Sequence, residues 1–279
     1  MTTCSSGNCD CFIDKFKCPC SCKKNYGDED LRRIWRVGIS ADYYPFEDVD
    51  ENGQFIGFDI DLISEIARRL NFKIEFVDMS FDSLISALSI GYIDVVCSGI
   101  TETEERSQIV DFTMPYFSSY QVLLYRDIDP IDSFGSLTQL DNRIVGVQKD
   151  TTQQDLMEEI RDNPNKIEFP TDMAIHKEES INDLVTLLKN QSNVSAYTTN
   201  EATVIVGPVS AISMIDYVAR HFEESGVLSS TSSAFLDSEE SCSIAIAKGN
   251  PLLKHLMIIL NDLINSGYVD NLRDIWGLD

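Results

Sequence analysis

Between Ser98 and Phe112 the chain reads Ser-Gly-Ile-Thr-Glu-Thr-Glu-Glu-Arg-Ser-Gln-Ile-Val-Asp-Phe, and these residue types in this order could hold an anion. Ser98 and Thr101 carry hydroxyl donors, and Gly99 lets the backbone turn sharply and approach a ligand closely. Thr101 with Glu104, or Thr103 alone, offers an N-cap for a helix that carries Arg106 in its first turns. The start of a helix presents free N–H groups. Arg106 adds a planar fork that binds a carboxylate through two parallel hydrogen bonds. On spacing alone the same residues equally describe a capped surface helix with Arg106 in a salt bridge. A second candidate anion site opens at Thr151-Thr152-Gln153-Gln154, the start of a helix predicted to run through Ile160.

The surrounding pattern supplies elements that could position these groups. The apolar run Ile93 to Cys97 predicts a buried strand leading into the Ser98 stretch. Trp35, Val37 and Ile39 alternate with Arg36 and Gly38, giving a first strand that ends at Ser40. The loop Ala41 to Glu47 then places Tyr43 at the carboxyl end of that strand, where open α/β sheets bind ligands. Asp50 to Gly53 reads as a turn, Phe58 to Leu70 as an amphipathic helix, and Phe72 to Phe76 as a half-buried strand. A further helix covers Phe81 to Ile90, closed by Gly91 as a left-handed cap. This alternation predicts a mostly parallel sheet with helices on its faces.

Gln121 to Arg126 is predicted as an extended hinge segment, and a second α/β unit starts at Leu137. Its strands are expected at Arg143 to Val147, Lys166 to Phe169 and Val194 to Thr198, with a helix over Ser180 to Lys189. Glu201 to Glu224 reads as mainly helical, interrupted by Gly207-Pro208, and Ser229 to Ser233 and Asp237 to Ser241 read as polar loop. Ser243 to Ala247 returns to strand and Leu252 to Ile264 to helix.

Composition bounds the function. A chain of 279 residues, 43% hydrophobic, suffices for one large or two modest domains. Its 22 basic against 46 acidic residues give a net charge of −24, which disfavours nucleic acid and anionic lipid as partners. No apolar run is long enough to span a membrane, and Met1 to Tyr26 lacks the apolar stretch of a signal peptide. Cys4, Cys9, Cys11, Cys18, Cys20 and Cys22 crowd the first 22 residues. Such thiols could hold a soft metal, pair as disulfides, carry lipid or serve no such purpose, and the spacing is not that of a structural zinc site.

The Ser98 to Phe112 stretch resembles the Ser-Gly-x-Thr-x-Thr-x-Glu-Arg…Asp-Phe signature of bacterial extracellular solute-binding proteins of family 3, the amino-acid-binding proteins of ABC importers. Ala41-Asp42-Tyr43-Tyr44-Pro45-Phe46 resembles that family's first ligand loop, and Gly57-Phe58-Asp59-Ile60-Asp61-Leu62 its first helix start. The segment from Phe81 to Asp94, Lys248 to Pro251, and Gly267-Tyr268…Ile275-Trp276-Gly277 resemble later elements, so the likeness covers Ile34 to Asp279. It implies a two-lobed α/β chain of the type II periplasmic-binding-protein fold, each lobe a mostly parallel sheet flanked by helices, with a ligand cleft between them. Residues 31–120 and 241–279 would form lobe 1 and residues 121–240 lobe 2, with hinge strands at its ends. Residues 1–30 would be a cysteine-rich flexible tail and linker.

By the same resemblance Tyr43 and Phe81 would flank a ligand. Ser98, Gly99, Thr101 and Arg106 would hold its carboxylate from lobe 1, with Thr151 and Thr152 opposite. The expected activity is binding of a small carboxylate-bearing solute, foremost an amino acid, for transport or sensing. No catalysis, cofactor or metal is expected. The partner would be a membrane permease or receptor, the state monomeric, and the location periplasmic or extracellular, with which the absent signal peptide conflicts.

Three departures matter: Ser40 and Asp150 stand where the family commonly has Asp and Gly, and Asn200 aligns with its ammonium-binding Asp. A competing alignment puts Val206 at that last position; neither supplies a carboxylate, which leaves Asp150, Glu201 or Glu102 to compensate, or a ligand without an ammonium. The alternatives are a cyclohexadienyl (prephenate or arogenate) dehydratase-like enzyme and a sensory domain for a non-amino organic acid. An enzyme would need an acid or base in the cleft, whereas His176, His221 and His255 lie in other segments.

Overall fold

The structure, a computed structural model, describes residues 34–127, 136–163, 170, 172–198, 204–232, 236 and 238–279. The tail cysteines, the strand expected at Lys166 to Phe169, Asn200 and Glu201 lie outside the described residues. Ile34–Asp279 forms one unit built on two principal sheets. In chain order the first part comprises β1 (Ile34–Ile39), β2 (Asp48–Val49), β3 (Phe55–Ile56), α1 (Phe58–Leu70), β4 (Lys73–Asp78), α2 (Leu84–Ser89), β5 (Val95–Val96), α3 (Glu104–Ile109) and β6 (Val110–Phe112). Next come β7 (Phe117–Arg126), β8 (Ile144–Gln148), α4 (Thr152–Asp162), β9 (Ala174–Glu178), α5 (Ile181–Asn190), β10 (Asn193–Tyr197), β11 (Val204–Ile215), α6 (Asp216–Glu223), β12 (Leu228–Ser230) and β13 (Glu239–Cys242). The chain closes with β14 (Ala245–Ala247), α7 (Leu253–Asn265) and α8 (Tyr268–Trp276).

Lobe 1 is a five-stranded sheet in the order β4-β1-β5-β14-β6, parallel from β4 to β5 and antiparallel at β14 and β6. The alternation read in β1 buries Trp35, Val37 and Ile39 on one face, against the buried stripe Leu62, Ile63 and Ile66 of α1. On the other face Gly38 leaves room for Ile93 and Leu84: a Cβ there would lie 2.3 Å from Ile93 Cδ1 and 3.0 Å from Leu84 Cδ2. Both faces of the sheet are thus covered, as parallel strands require. Phe81 to Ser83 form one 3-10 turn before α2 instead of continuing its helix. Gly91 takes the left-handed conformation expected of it, at φ 76°.

Lobe 2 has the order β10-β9-β8-β11-β7-β12, with β9, β8 and β11 parallel and α4 and α5 packed against them. Antiparallel strands surround that parallel centre. β7 runs through the crossover: Phe117 to Tyr120 pair with β13, while Gln121 to Arg126 pair with β11 and β12.

Two sequence expectations are corrected here. The described part of Glu201 to Glu224 is first a long strand, β11, and only then the short helix α6. Val204, Ile205, Val206, Val209, Ile212 and Ile215 are β-branched, Pro208 has no N–H to donate, and β11 pairs in turn with β10 at Val204 to Pro208, β8 at Val209 to Ile212 and β7 at Ala211 to Ile215. Tertiary pairing decided the segment, and α6 starts where that pairing ends. Likewise the polar stretches around Ser229 and Glu239 contain β12 and β13, because β7 offers an open edge that any extended backbone can pair with.

Candidate functional site

The carboxyl ends of β1 and β5, α3 and the start of α4 converge on one pocket. Tyr43, Phe81, Gly99, Thr101, Arg106, Thr151 and Thr152 all line it, so the structure brings together seven of the nine residues singled out from the sequence. Ser98 sits behind the wall, 1% exposed. Asn200 is outside the described residues, and Val206, its competitor, is exposed on β11 in a separate surface groove with Asp141 and Pro208.

Arg106 organises the pocket. Thr103 caps α3, its Oγ1 accepting from the Arg106 N–H at 3.2 Å, which settles which threonine starts the helix. The guanidinium lies over Phe81, 5.5 Å from the ring centroid. Its Nη1 donates to Thr101 O at 2.7 Å in lobe 1, and its Nη2 to Asp150 O at 2.6 Å in lobe 2. The fork therefore already bridges the lobes through two backbone carbonyls. Burial lowers its pKa from the ordinary arginine value, with Asp155, Glu240 and Asp150 opposing, and the group stays cationic.

Opposite stands the N-terminus of α4. Thr151 is its N-cap: Oγ1 accepts from Gln154 N–H at 3.1 Å and donates to Gln148 O at 2.8 Å. The hydroxyl is thus spent on the helix, and what the helix offers the pocket is its terminal amides around Thr152 and Gln153. Asp150, where the resembling family has glycine, adopts φ 56°, a left-handed conformation natural to glycine and tolerated by Asp. Its carbonyl meets Arg106, but its side chain is exposed and does not line the pocket.

The cradle donors in lobe 1 are largely engaged. Ser98 Oγ donates to Glu47 Oε1 at 2.6 Å, Gly99 N–H to Asp59 Oδ2 at 2.7 Å, and Thr101 Oγ1 to Glu240 Oε2 at 2.6 Å. Glu240, on crossover strand β13, is buried and also accepts from Gln121 Nε2 on β7. Arg106 and the α4 amides remain the principal anion-binding groups facing the pocket.

The carboxylates that line the pocket are Asp42 and Glu47, two residues the sequence reading passed over in a loop it singled out for Tyr43. Asp42 Oδ2 accepts the Ile181 N–H at 3.0 Å, the first turn of α5 in lobe 2, and Oδ1 accepts from Ser40 Oγ at 3.3 Å. Burial raises the Asp42 pKa, while hydrogen bonds from Ser180, Ile181 and Ser40 hold it back. Ser40 also lines the pocket, as do Gln148 and Gln153. Charge within the loop, at positions three and eight residues beyond β1, was the available signal. Glu102 instead accepts from Ser107 Oγ and is exposed, and none of His176, His221 and His255 lines the pocket.

Residues 35–279 match the model of the bacterial extracellular solute-binding proteins, family 3. The chain is similar to the "Probable histidine-binding protein" of Neisseria gonorrhoeae, 31% identical over 68% of this chain and 70% of that protein. It is also similar to the arginine-binding extracellular protein ArtP of Bacillus subtilis, 36% identical over 49% of this chain, a stretch that spans only 52% of that relative. Among solved structures, an ancestral arginine-binding protein bound to arginine matches with a TM-score of 0.73 and 31% identity, covering 88% of this chain and 99% of that one.

One expectation falls here. The ancestral amino-acid-binding protein AncCDT-1, a precursor of cyclohexadienyl dehydratase, matches at 30% identity and a TM-score of 0.72 over 87% of this chain and 95% of that one. A likeness that takes in the forerunner of an enzyme overturns the firm exclusion of catalysis, because one fold can host both binding and catalysis. Two lobes joined through β7 and β13, a pocket between them and a match over 35–279 lead to one conclusion: the chain belongs to the bacterial extracellular solute-binding proteins, family 3.

Proposed function

We propose that this chain binds an α-amino acid with a cationic side chain, arginine first among the candidates, in the pocket between its lobes. The observation that carries the reading is the polarity of the pocket. Arg106 and the α4 N-terminus face it at one end, and Asp42 stands in its wall on the loop after β1. A ligand carboxylate would replace the Thr101 and Asp150 carbonyls on the Arg106 fork, gaining charge-assisted bonds. A cationic group would lie toward Asp42, with Tyr43 and Phe81 flanking the aliphatic stem. The relatives named for arginine and histidine support this choice of ligand. The family supports a periplasmic or extracellular setting and delivery of the solute to a membrane permease.

Titration calorimetry with L-arginine, L-histidine and L-glutamine tests the reading. L-arginine is expected to bind, and more tightly than L-glutamine, which offers the same carboxylate and ammonium but no cationic side chain. Equal affinities would show that Asp42 does not read charge, and absence of binding by all three would remove the amino-acid reading.

A further inference from the structure

Glu47 lines the pocket and Asp59 lies behind it, and each carboxyl grips one residue of the Ser98-Gly99 turn. Glu47 Oε1 accepts the Ser98 hydroxyl at 2.6 Å, and the Ser98 oxygen in turn accepts Ser40 N–H at 3.0 Å. Asp59, in the first turn of α1, accepts Gly99 N–H and the Tyr116 hydroxyl through Oδ2, both at 2.7 Å. Glu47 is 1% exposed and Asp59 fully buried. Their other oxygens, Glu47 Oε2 and Asp59 Oδ1, are buried with no hydrogen-bond partner. The backbone sets the two acids side by side, since Asp59 N–H donates to the carbonyl of Phe46, next to Glu47, at 3.0 Å.

Among the described residues, no cation acts on the pair. The titratable groups acting on the pair are Asp42 and Asp78 at the ends of β1 and β4, Tyr43 in the same loop, Cys97 after β5, Tyr116 before β7 and Cys242 on β13. Burial pushes the pKa values of both thiols and both phenols well above their ordinary values, so they stay neutral. Arg106 is engaged with Thr101, Asp150 and the Phe81 face. Two adjacent buried carboxylates without a counter-charge would each carry a desolvation penalty, and a retained proton removes one of them.

We propose that Glu47 and Asp59 together hold one proton at neutral pH and act as a pair of positioning residues, fixing Gly99 in the pocket wall and Ser98 behind it. Asp59 is the anion of the pair, because two donors and the start of α1 serve it, and Glu47 carries the proton. Burial first, then the Asp59 charge, hold the Glu47 carboxyl well above the usual carboxylate range, and burial raises Asp59 to about 6. Losing the Glu47 proton at alkaline pH sets two negative charges against each other and loosens the grip on Ser98 and Gly99. The inference uses the proposed ligand only for an affinity readout.

The first test is ligand-free. Carbon-13 carboxyl NMR of the full chain, assigned with Glu47→Gln and Asp59→Asn, should show one of the two carboxyls still protonated at pH 7. In Asp59→Asn the Glu47 midpoint should fall, because the Asp59 charge that helps to raise it is gone. Two carboxylates both ionised at pH 7 would overturn the proposal. The second test separates positioning from simple burial. L-arginine titrations at pH 6 and pH 9 should show wild-type affinity falling about tenfold more than that of Glu47→Gln, a difference of about 1.4 kcal/mol. The Gln amide oxygen still accepts from Ser98 but never ionises, and the ligand's own titration is common to both proteins. Glu47→Ala should bind weakly at both pH values. Parallel pH profiles for wild type and Glu47→Gln would overturn the positioning role. Should L-arginine not bind at all, melting curves decide: a steeper loss of Tm from pH 6 to pH 9 in wild type than in Glu47→Gln supports the pair, and equal slopes overturn it.

Discussion

Arg106 touches lobe 1 through Thr101 O and lobe 2 through Asp150 O, and it covers the Phe81 ring. Charge-assisted bonds of this kind are each worth about 1.5–3 kcal/mol. Arg106→Ala is therefore expected to weaken L-arginine binding by about ten- to a hundredfold or more while leaving unfolding cooperative. Calorimetry beside a thermal melt checks both, and unchanged affinity would remove Arg106 from the ligand. Arg106→Lys should recover only part, since an ammonium cannot span two carbonyls as the fork does. Asp150 carries the neighbouring prediction. Its left-handed backbone at φ 56° suits glycine, tolerates Asp and opposes a β-branched side chain. Asp150→Val should lower stability by about 1–2 kcal/mol, while Asp150→Gly should leave it within about 1 kcal/mol of wild type. Equal denaturation midpoints for the two variants would show that this turn relaxes freely.

At the scale of elements, the pocket depends on where two helices begin. Thr151 closes the start of α4 from both directions, accepting from Gln154 N–H and donating to Gln148 O at the end of β8. Thr151→Ala should cost about 1 kcal/mol, and Thr151→Ser should restore most of it. Chemical denaturation measures the difference; no loss in the alanine variant would mean that water caps the helix equally well. The start of α1 is less forgiving. Gly57 sits at φ 138°, and a Cβ there would lie 2.1 Å from Phe46 O and 2.8 Å from Glu47 Cα. Because the obstacle is backbone, Gly57→Ala must displace the loop that carries Glu47 or the helix that carries Asp59. It is expected to destabilise by about 3 kcal/mol, within the upper range for single substitutions, and to weaken ligand binding with it.

At the scale of the molecule, acid burial sets the pH response. Glu47, Asp59, Asp42, Asp155 and Asp216 all have pKa values raised first by burial. Groups raised on folding contribute stability that is fully present below their unfolded pKa values, near 4, and is lost as pH rises through the folded ones, for Asp59 about 6. Glu65, lowered to about 2 by Arg68 and, secondarily, Arg69, acts in the opposite direction, and its contribution disappears only in strong acid. The melting temperature is therefore expected to be higher near pH 5 than at pH 8, a trend that the net charge of −24 reinforces through self-repulsion. A melting series that rises from pH 5 to pH 8 would contradict it. Closure belongs to the same scale. Arg106 to Asp150 O and Ile181 N–H to Asp42 join the lobes in this arrangement, and a ligand carboxylate that takes the place of Asp150 O would bridge them in its stead, between Arg106 and the α4 amides. Small-angle scattering should give a smaller radius of gyration with saturating L-arginine than without, and an unchanged radius would count against hinge closure.

Much of this was legible in the sequence because it is local. Alternation in Trp35 to Ile39, the stripe from Phe58 to Leu70 and the Ser98 to Phe112 stretch each report a backbone conformation within a few residues, and the ordered motifs together pointed to the family. Seven residues named from those motifs meet in one pocket. What failed to read out was decided by distant partners. β11 is a strand because β10, β8 and β7 lie beside it, although its own segment reads as helix. Ser98 and Gly99 look like free donors until Glu47 and Asp59, some 50 and 40 residues away in sequence, claim them. Asp42 looks like loop solvation until the first turn of α5, 139 residues on, supplies its donor. Sequence by itself determined which residues carry charge, hydroxyl and turn. Only the tertiary structure decided which of those groups satisfy one another and which are left facing the ligand, because hydrogen bonds and burial are settled between residues far apart along the chain.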